Sequence, residues 1–162
     1  MGNDLAELAN GRFSVELVDV GARHDINSAG VAALTKLFSN FTDAIAAENT
    51  ARAIRNYIGD PATQSLDELR TIESLDDVAR IPGVSRSVLA SAAAFLTVDG
   101  DGTINRMTAS DTVLSAVGGD LRDEPSRILV VSRGWQDGHK LTHEIQAVYA
   151  LNGAQLTLVR WR

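Results

Sequence analysis

The 162 residues contain no cysteine. Disulfides, thiolate metal sites and a cysteine nucleophile are therefore excluded, although the compartment stays open. No apolar run approaches the ~20 residues that a membrane-spanning helix needs. The polar start Met1-Gly2-Asn3-Asp4 does not read as a signal peptide. Cations are outnumbered, 15 Lys and Arg against 21 Asp and Glu, giving a net charge of −6 and a pI near 5.0. Nucleic-acid and anionic-membrane binders need clustered cations to meet phosphates, so this balance argues against both. Gly-x-Ser-x-Gly elbows, His-Glu-x-x-His pairs and Gly-rich phosphate loops are missing too. His24 is far in sequence from His139 and His143, and all three are expected on the surface. What the chain has is 44% hydrophobic content, enough for one compact core or two small ones.

Residues 1–10 are short on large apolar residues and read as frayed or as a short helix end. Arg12 to Val20 alternates apolar and polar residues and reads as a strand. Val31, Leu34, Leu37 and Phe38 fall at helical spacing, with Ser28 as the expected N-cap. A second helix is expected over residues 43–58, stopped by Gly59-Asp60-Pro61. Ser65-x-x-Glu68, Ser74-x-x-Asp77 and Thr108-x-x-Asp111 are capping boxes, each predicting a helix start. Ser85 is expected to cap a helix carrying Val88, Leu89, Ala92, Phe95 and Leu96. Strands are expected at 127–132, 142–151 and 154–161. The last two are joined through Asn152-Gly153 in a type I′ turn, whose central residues both need positive φ. Trp135 is expected in a turn and Trp161 in packing.

One stretch, Gly102 to Leu114, marks the change from helices to strands. It has an earlier echo in His24-Asp25-Ile26-Asn27-Ser28-Ala29 and Leu34. Asp25 aligns with Asn105, Ser28 with Thr108, Ala29 with Ala109 and Leu34 with Leu114. A lone strand at 12–20 is not stable. The economical arrangement joins it to the C-terminal strands and makes the helical block between them an insertion, bracketed by the two echoes.

Two short motifs carry chemical readings. Ile81-Pro82-Gly83-Val84-Ser85 between short helices looks like a helix-hairpin-helix turn, a device that binds DNA phosphate through backbone amides. Acids outnumber bases around it, which favours a purely structural hairpin. Asp99-Gly100-Asp101-Gly102-Thr103-Ile104 resembles the middle of an EF-hand calcium loop, yet its register puts Thr97 and Thr108 where carboxylates belong. A weaker calcium site built from Asp99, Asp101 and a distant acid, and a solvated acidic turn, stand as the two readings.

Taken in order, these pieces resemble a known family. A strand is followed by "DINSA", a helix ending Ala53-Ile54-Arg55-Asn56-Tyr57, then "SLDDVARIPGVS", "AFLTV", "INRMTASDTVL" and three strands ending "LVRWR". This order is similar to that of the minor pseudopilins of the K type from bacterial type II secretion systems, over about Arg12 to Arg162. Met107 stands where the family has a second Asn, and Asn56 and Tyr57 stand where it has an acid and a Trp. The family's N-terminal hydrophobic helix is not in this sequence, so a truncated soluble form, or a homologue with that part elsewhere, is expected.

The resemblance implies an α+β chain: a pilin-like α/β domain with an antiparallel sheet at 11–20 and 99–162, interrupted by an inserted all-α, SAM-like or helix-hairpin-helix-like domain at 21–98. It implies a non-enzymatic subunit with no catalytic residues, capping the periplasmic pseudopilus tip with minor pseudopilins of the I and J types. Membrane attachment would come only through the N-terminal helix to the inner membrane, and no nucleic acid is expected. Calcium, which some family members bind, would fall to Asp99 and Asp101. The alternatives are a helix-hairpin-helix DNA-binding module and a hydrolase with an unrecognised site.

Overall fold

The computed structural model describes residues 3–8, 11–59, 69–136, 138 and 142–162. By internal contacts the chain forms two compact units, residues 1–20 with 125–162, and Gly21–Glu124.

The first unit is an antiparallel sheet of strands β1 (Asn3–Leu8), β2 (Gly11–Asp19), β7 (Arg127–Gln136), β8 (Thr142–Asn152) and β9 (Gln155–Trp161), in that spatial order. Strand β1 was not legible in the sequence, where residues 1–10 read as a frayed or helical end. Pairing along β2, from Asn3↔Glu16 to Leu8↔Gly11, supplies what local propensity did not. Strand β7 also runs on through Trp135, placing that ring half-buried in the sheet and not in a turn.

The β8–β9 hairpin differs from the type I′ expectation by one residue. Asn152 pairs with Gln155, so Gly153 and Ala154 are the two loop residues. Gly153 has φ 61° and no other residue type has positive φ among the described residues. Positive φ at the first central position alone is the requirement of a type II′ turn, and only Gly meets it without strain. A second irregularity follows. Tyr149 pairs with Leu158 but Val148 pairs with Arg160, so Val159 is an extra residue, a β-bulge.

The second unit holds β3 (His24–Asp25), α1 (Val31–Phe38), α2 (Ala44–Ile58), α3 (Leu75–Val78), α4 (Arg86–Ala92), β4 (Leu96–Thr97), β5 (Ile104–Asn105), α5 (Asp111–Ser115) and β6 (Leu121–Arg122). The stretch 21–98 is therefore not wholly helical, because β3 pairs in parallel with β4. Residues 99–124, assigned from sequence to the sheet domain, group by contact with this mostly helical unit. Its core is one cluster in which Leu34, Leu37, Phe38, Ala47, Ala51, Ile54 and Ile72 are closed to solvent. All but Ile72 recur at helical spacing on α1 and α2, so each helix buries one stripe and turns its other side outward. Phe41 stacks on Phe95 at its edge, ring centroids 5.6 Å apart.

Three helix starts follow their sequence signals. Asp43, Ser74 and Ser85 accept from the amides of Ala46, Asp77 and Val88. The Ser65 box lies outside the described residues. Two starts are displaced: Ser28 and Thr108 are not caps, and the N-caps are Gly30 and Ser110, each two residues later. The amides of Ser28 and Ala29 both donate to the Asp25 carbonyl, and those of Thr108 and Ala109 both donate to the Asn105 carbonyl. An extra turn is thereby wound before each helix, and Ser28 and Thr108 sit inside it.

Candidate functional site

In the sheet, the alternation of strand residues sorts side chains onto two faces. Cross-strand register places Leu17, Val130, Ala147 and Trp161 in one row, with Ile145 and Leu158 on the same face. The Val159 bulge is what brings Trp161 there. From simple alternation, Trp161 falls on the opposite face from Leu158, and it was expected to pack. Instead it is 72% exposed, with Ile145 at 57% and Leu158 at 51%.

The opposite face is different in kind. Ser14, Val131 and Val148 are buried there. Arg133 bonds Glu144 at 2.6 Å and Glu16 at 3.2 Å, tying three strands. Gln146 donates to Glu144 at 2.6 Å and Arg162 donates to Gln146 at 2.9 Å. The bonds to Glu144 and then Glu16 raise the Arg133 pKa, while the bonds from Gln146 and then Arg133 lower that of Glu144. An antiparallel sheet ordinarily leaves its polar face to water and covers its apolar one. Here the apolar face carries exposed Leu, Ile and Trp, and such a patch marks a surface built for contact.

The predicted metal residues flank Gly100, beside the Asp25 side chain. Asp99 is buried and its amide donates to Thr97 Oγ1 at 3.2 Å. Asp101 is exposed, and its Oδ1 accepts from the amide of Thr103 at 3.1 Å and from its hydroxyl at 2.6 Å. Gly100 between them lies so close to Asp25 that a Cβ there would overlap the Asp25 side chain. Among the described residues no three acids or histidines gather to hold a metal. Calcium takes six to eight oxygens, so Asp99 and Asp101 would need further oxygen ligands beside them.

The Ile81–Ser85 segment lies between α3 and α4, with Gly83 at φ 89°. The cations beside it are engaged, Arg80 with Asp77 at 3.0 Å and Arg86 with the Ala79 carbonyl at 3.2 Å. His24, expected at the surface, is buried and bonds the Val113 carbonyl through Nε2 at 3.1 Å. Burial lowers its pKa, and the bond to Val113 opposes that in part. His143 is exposed, and His139 lies outside the described residues.

The residue that sequence reading passed over is Asn27. Its Oδ1 accepts from the Ile72 amide at 2.8 Å and its Nδ2 donates to the Ile72 carbonyl at 3.0 Å. Its own carbonyl takes Arg55 Nη1 at 2.9 Å. The echo alignment contained the signal, since Asn27 aligns with Met107, which is 74% exposed. The two copies share a backbone: a two-residue parallel strand, an Asx-type turn and a helix. Only the first copy grips another segment through this side chain.

No protein-family model matches the chain, and no curated protein matches it in sequence. A solved structure does match in fold. It is a chain of the GspK-GspI-GspJ complex of the enterotoxigenic Escherichia coli Type 2 Secretion System, at 12% identity and a TM-score of 0.76. The match covers 100% of this chain and 83% of that one. The chain thus has the mixed helix-and-sheet fold of a component of that complex.

Proposed function

We propose that this chain is a minor pseudopilin of the K type, a subunit at the tip of a type II secretion pseudopilus that acts by packing and not by catalysis. The observation that carries this reading is the exposed apolar sheet face around Leu158 and Trp161. The likeness in fold to a chain of the GspK-GspI-GspJ complex supports it. In this role the apolar face seats against other subunits, which bury Leu17, Ile145, Leu158 and Trp161 and gain about 25 cal/mol for each Å² of apolar area removed from water. The partners are minor pseudopilins of the I and J types. The mostly helical unit Gly21–Glu124 shapes the distal end, in the periplasm, on a subunit held to the inner membrane by a hydrophobic N-terminal helix.

Among the described residues no helix is long and apolar enough to cross a membrane. Mixing the chain with purified I- and J-type partners should give a complex on size exclusion. Failure to associate with the cognate pair overturns the assignment.

Calcium at the Asp99–Asp101 loop belongs to the same reading, with the alternating acids as hard oxygen ligands. Millimolar calcium should raise Tm and a chelator should reverse the rise, because an ion bound only by the folded state stabilises it. Loss of the effect in an Asp99→Ala, Asp101→Ala variant places the ion there. A Tm indifferent to calcium removes it.

A further inference from the structure

We infer that the outer side of α2, together with the Ile81–Pro82 wall, is a groove for an acidic polyproline-II segment of another protein. The groove has a volume of about 410 Å³, and Asn49, Arg52, Asn56, Tyr57 and Pro82 line it. That volume falls within the roughly 300–1,000 Å³ of ligand clefts. Its floor is Ala53, against which the turn at Gly83 packs closely: a Cβ on Gly83 would lie 3.3 Å from that of Ala53. The groove belongs wholly to the mostly helical unit and does not depend on the assembly role proposed above.

Three observations select the occupant. First, Asn49 and Asn56 are exposed and make no side-chain hydrogen bond among the described residues, so two amides stand ready along the groove. Elsewhere in this unit Asn27 shows what such an amide does, taking both the N–H and the C=O of Ile72.

Second, seven residues of helix separate the two amides by about 10 Å along the axis. A polyproline-II chain repeats every three residues, rising about 9 Å, so like-directed carbonyls fall at nearly that spacing. A β-strand repeats its edge every two residues, at about 6.6 Å or 13 Å, and does not match. A polyproline-II chain also leaves its backbone carbonyls without internal partners and meets its hosts on aromatic and proline surfaces.

Third, one end carries a cation. The exposed Arg70 guanidinium lies 4.9 Å from the Tyr57 ring centroid, within cation–π range, and a guanidinium pairs well with a carboxylate. Arg52, by contrast, is paired with Glu48 at 2.6 Å. A carboxylate one turn beyond the amides therefore meets Arg70.

The test is an NMR titration of the full chain, labelled with ¹⁵N, with an acetylated and amidated (Pro-Pro-Glu)₃ peptide. The side-chain amides of Asn49 and Asn56 should shift saturably, and (Pro-Pro-Lys)₃ should bind roughly tenfold more weakly or worse. The flexible (Gly-Ser-Glu)₃ should also bind more weakly, since it must be ordered first. An Asn49→Ala, Asn56→Ala variant, altered only on the surface, should keep its fold and lose the response. Arg70→Ala should remove the preference for Glu over Lys. The inference is overturned if millimolar (Pro-Pro-Glu)₃ moves neither amide, or if the double variant binds as well. Equal binding of (Gly-Ser-Glu)₃, or stronger shifts of the same amides by a short DNA duplex, overturns it as well.

Discussion

Asn27 holds Ile72 by both of its main-chain polar groups, N–H to Oδ1 at 2.8 Å and C=O to Nδ2 at 3.0 Å. Ile72 is itself closed to solvent, so its amide and carbonyl have little access to water. Removing the partner leaves buried polar groups unpaired, which costs about 1–3 kcal/mol for each group. Asn27→Ala should therefore lower stability by about 2–4 kcal/mol in urea unfolding. At the aligned position of the echo, Met107→Ala should change it by no more than about 0.5 kcal/mol, as expected of an exposed site. Equal effects at the two positions would contradict this account.

The exposed sheet face gives a prediction of opposite sign. Leu158 and Trp161 bury little in the isolated chain. A Leu158→Ala, Trp161→Ala variant should stay within about 0.5 kcal/mol of the parent in urea. Its affinity for the I- and J-type pair should nevertheless fall by a factor of ten or more, about 1.4 kcal/mol. Surface plasmon resonance beside equilibrium unfolding separates the two readouts.

His24 makes stability depend on pH. Burial depresses its folded pKa below the ordinary 6.5, so below that pH the unfolded chain takes up a proton that the folded chain resists. Stability then falls as pH drops from about 6.5 toward the folded pKa, and it is fully present above that window. The urea midpoint of the parent should decline between pH 7.5 and 5. In His24→Gln, which keeps a donor for Val113, the decline should flatten; an unchanged slope would assign it to other groups.

The glycine between the two predicted metal residues tests a close approach. A Cβ on Gly100 would overlap Asp25, whereas one on Gly134 would meet nothing within 4 Å. Gly100→Ala should cost about 1–3 kcal/mol by overpacking. Gly134→Ala should be neutral or slightly stabilising, because it restricts only the unfolded chain. Thermal unfolding of the pair distinguishes steric closeness from a general dislike of substitution.

Several elements could be read from residue order because their causes are local. Asp43, Ser74 and Ser85 cap helices by bonding amides three residues away, and the spacing of Leu34, Leu37, Ile54 and Ile58 writes the core stripe directly. What escaped depends on distant partners. Strand β1 exists through its pairing with β2. The helix starts after Ser28 and Thr108 moved because Asp25 and Asn105 sit in short parallel pairs with β4 and β6, which fix where each turn begins. The strand carrying Leu158 was legible, but the Val159 bulge, unseen in the sequence, turned Trp161 onto the same face as Leu158. The Asp99 and Asp101 motif was legible as a pattern, yet a third carboxylate would have to come from elsewhere in the chain.

The sheet order is the order of the chain itself, β1 to β2, then β7, β8 and β9. Asp19 at the end of β2 is the register partner of Ile128 at the start of β7, so the points where the chain departs and returns are about one strand spacing, ~5 Å, apart. Topologically, everything from Gly21 to Glu124 is the loop of a single β-hairpin. Neighbouring ends make that loop's length nearly irrelevant to the strands, since closure entropy grows only with its logarithm. Lengthening or shortening the long segment between β2 and β7 therefore changes the closure cost of their pairing only slightly.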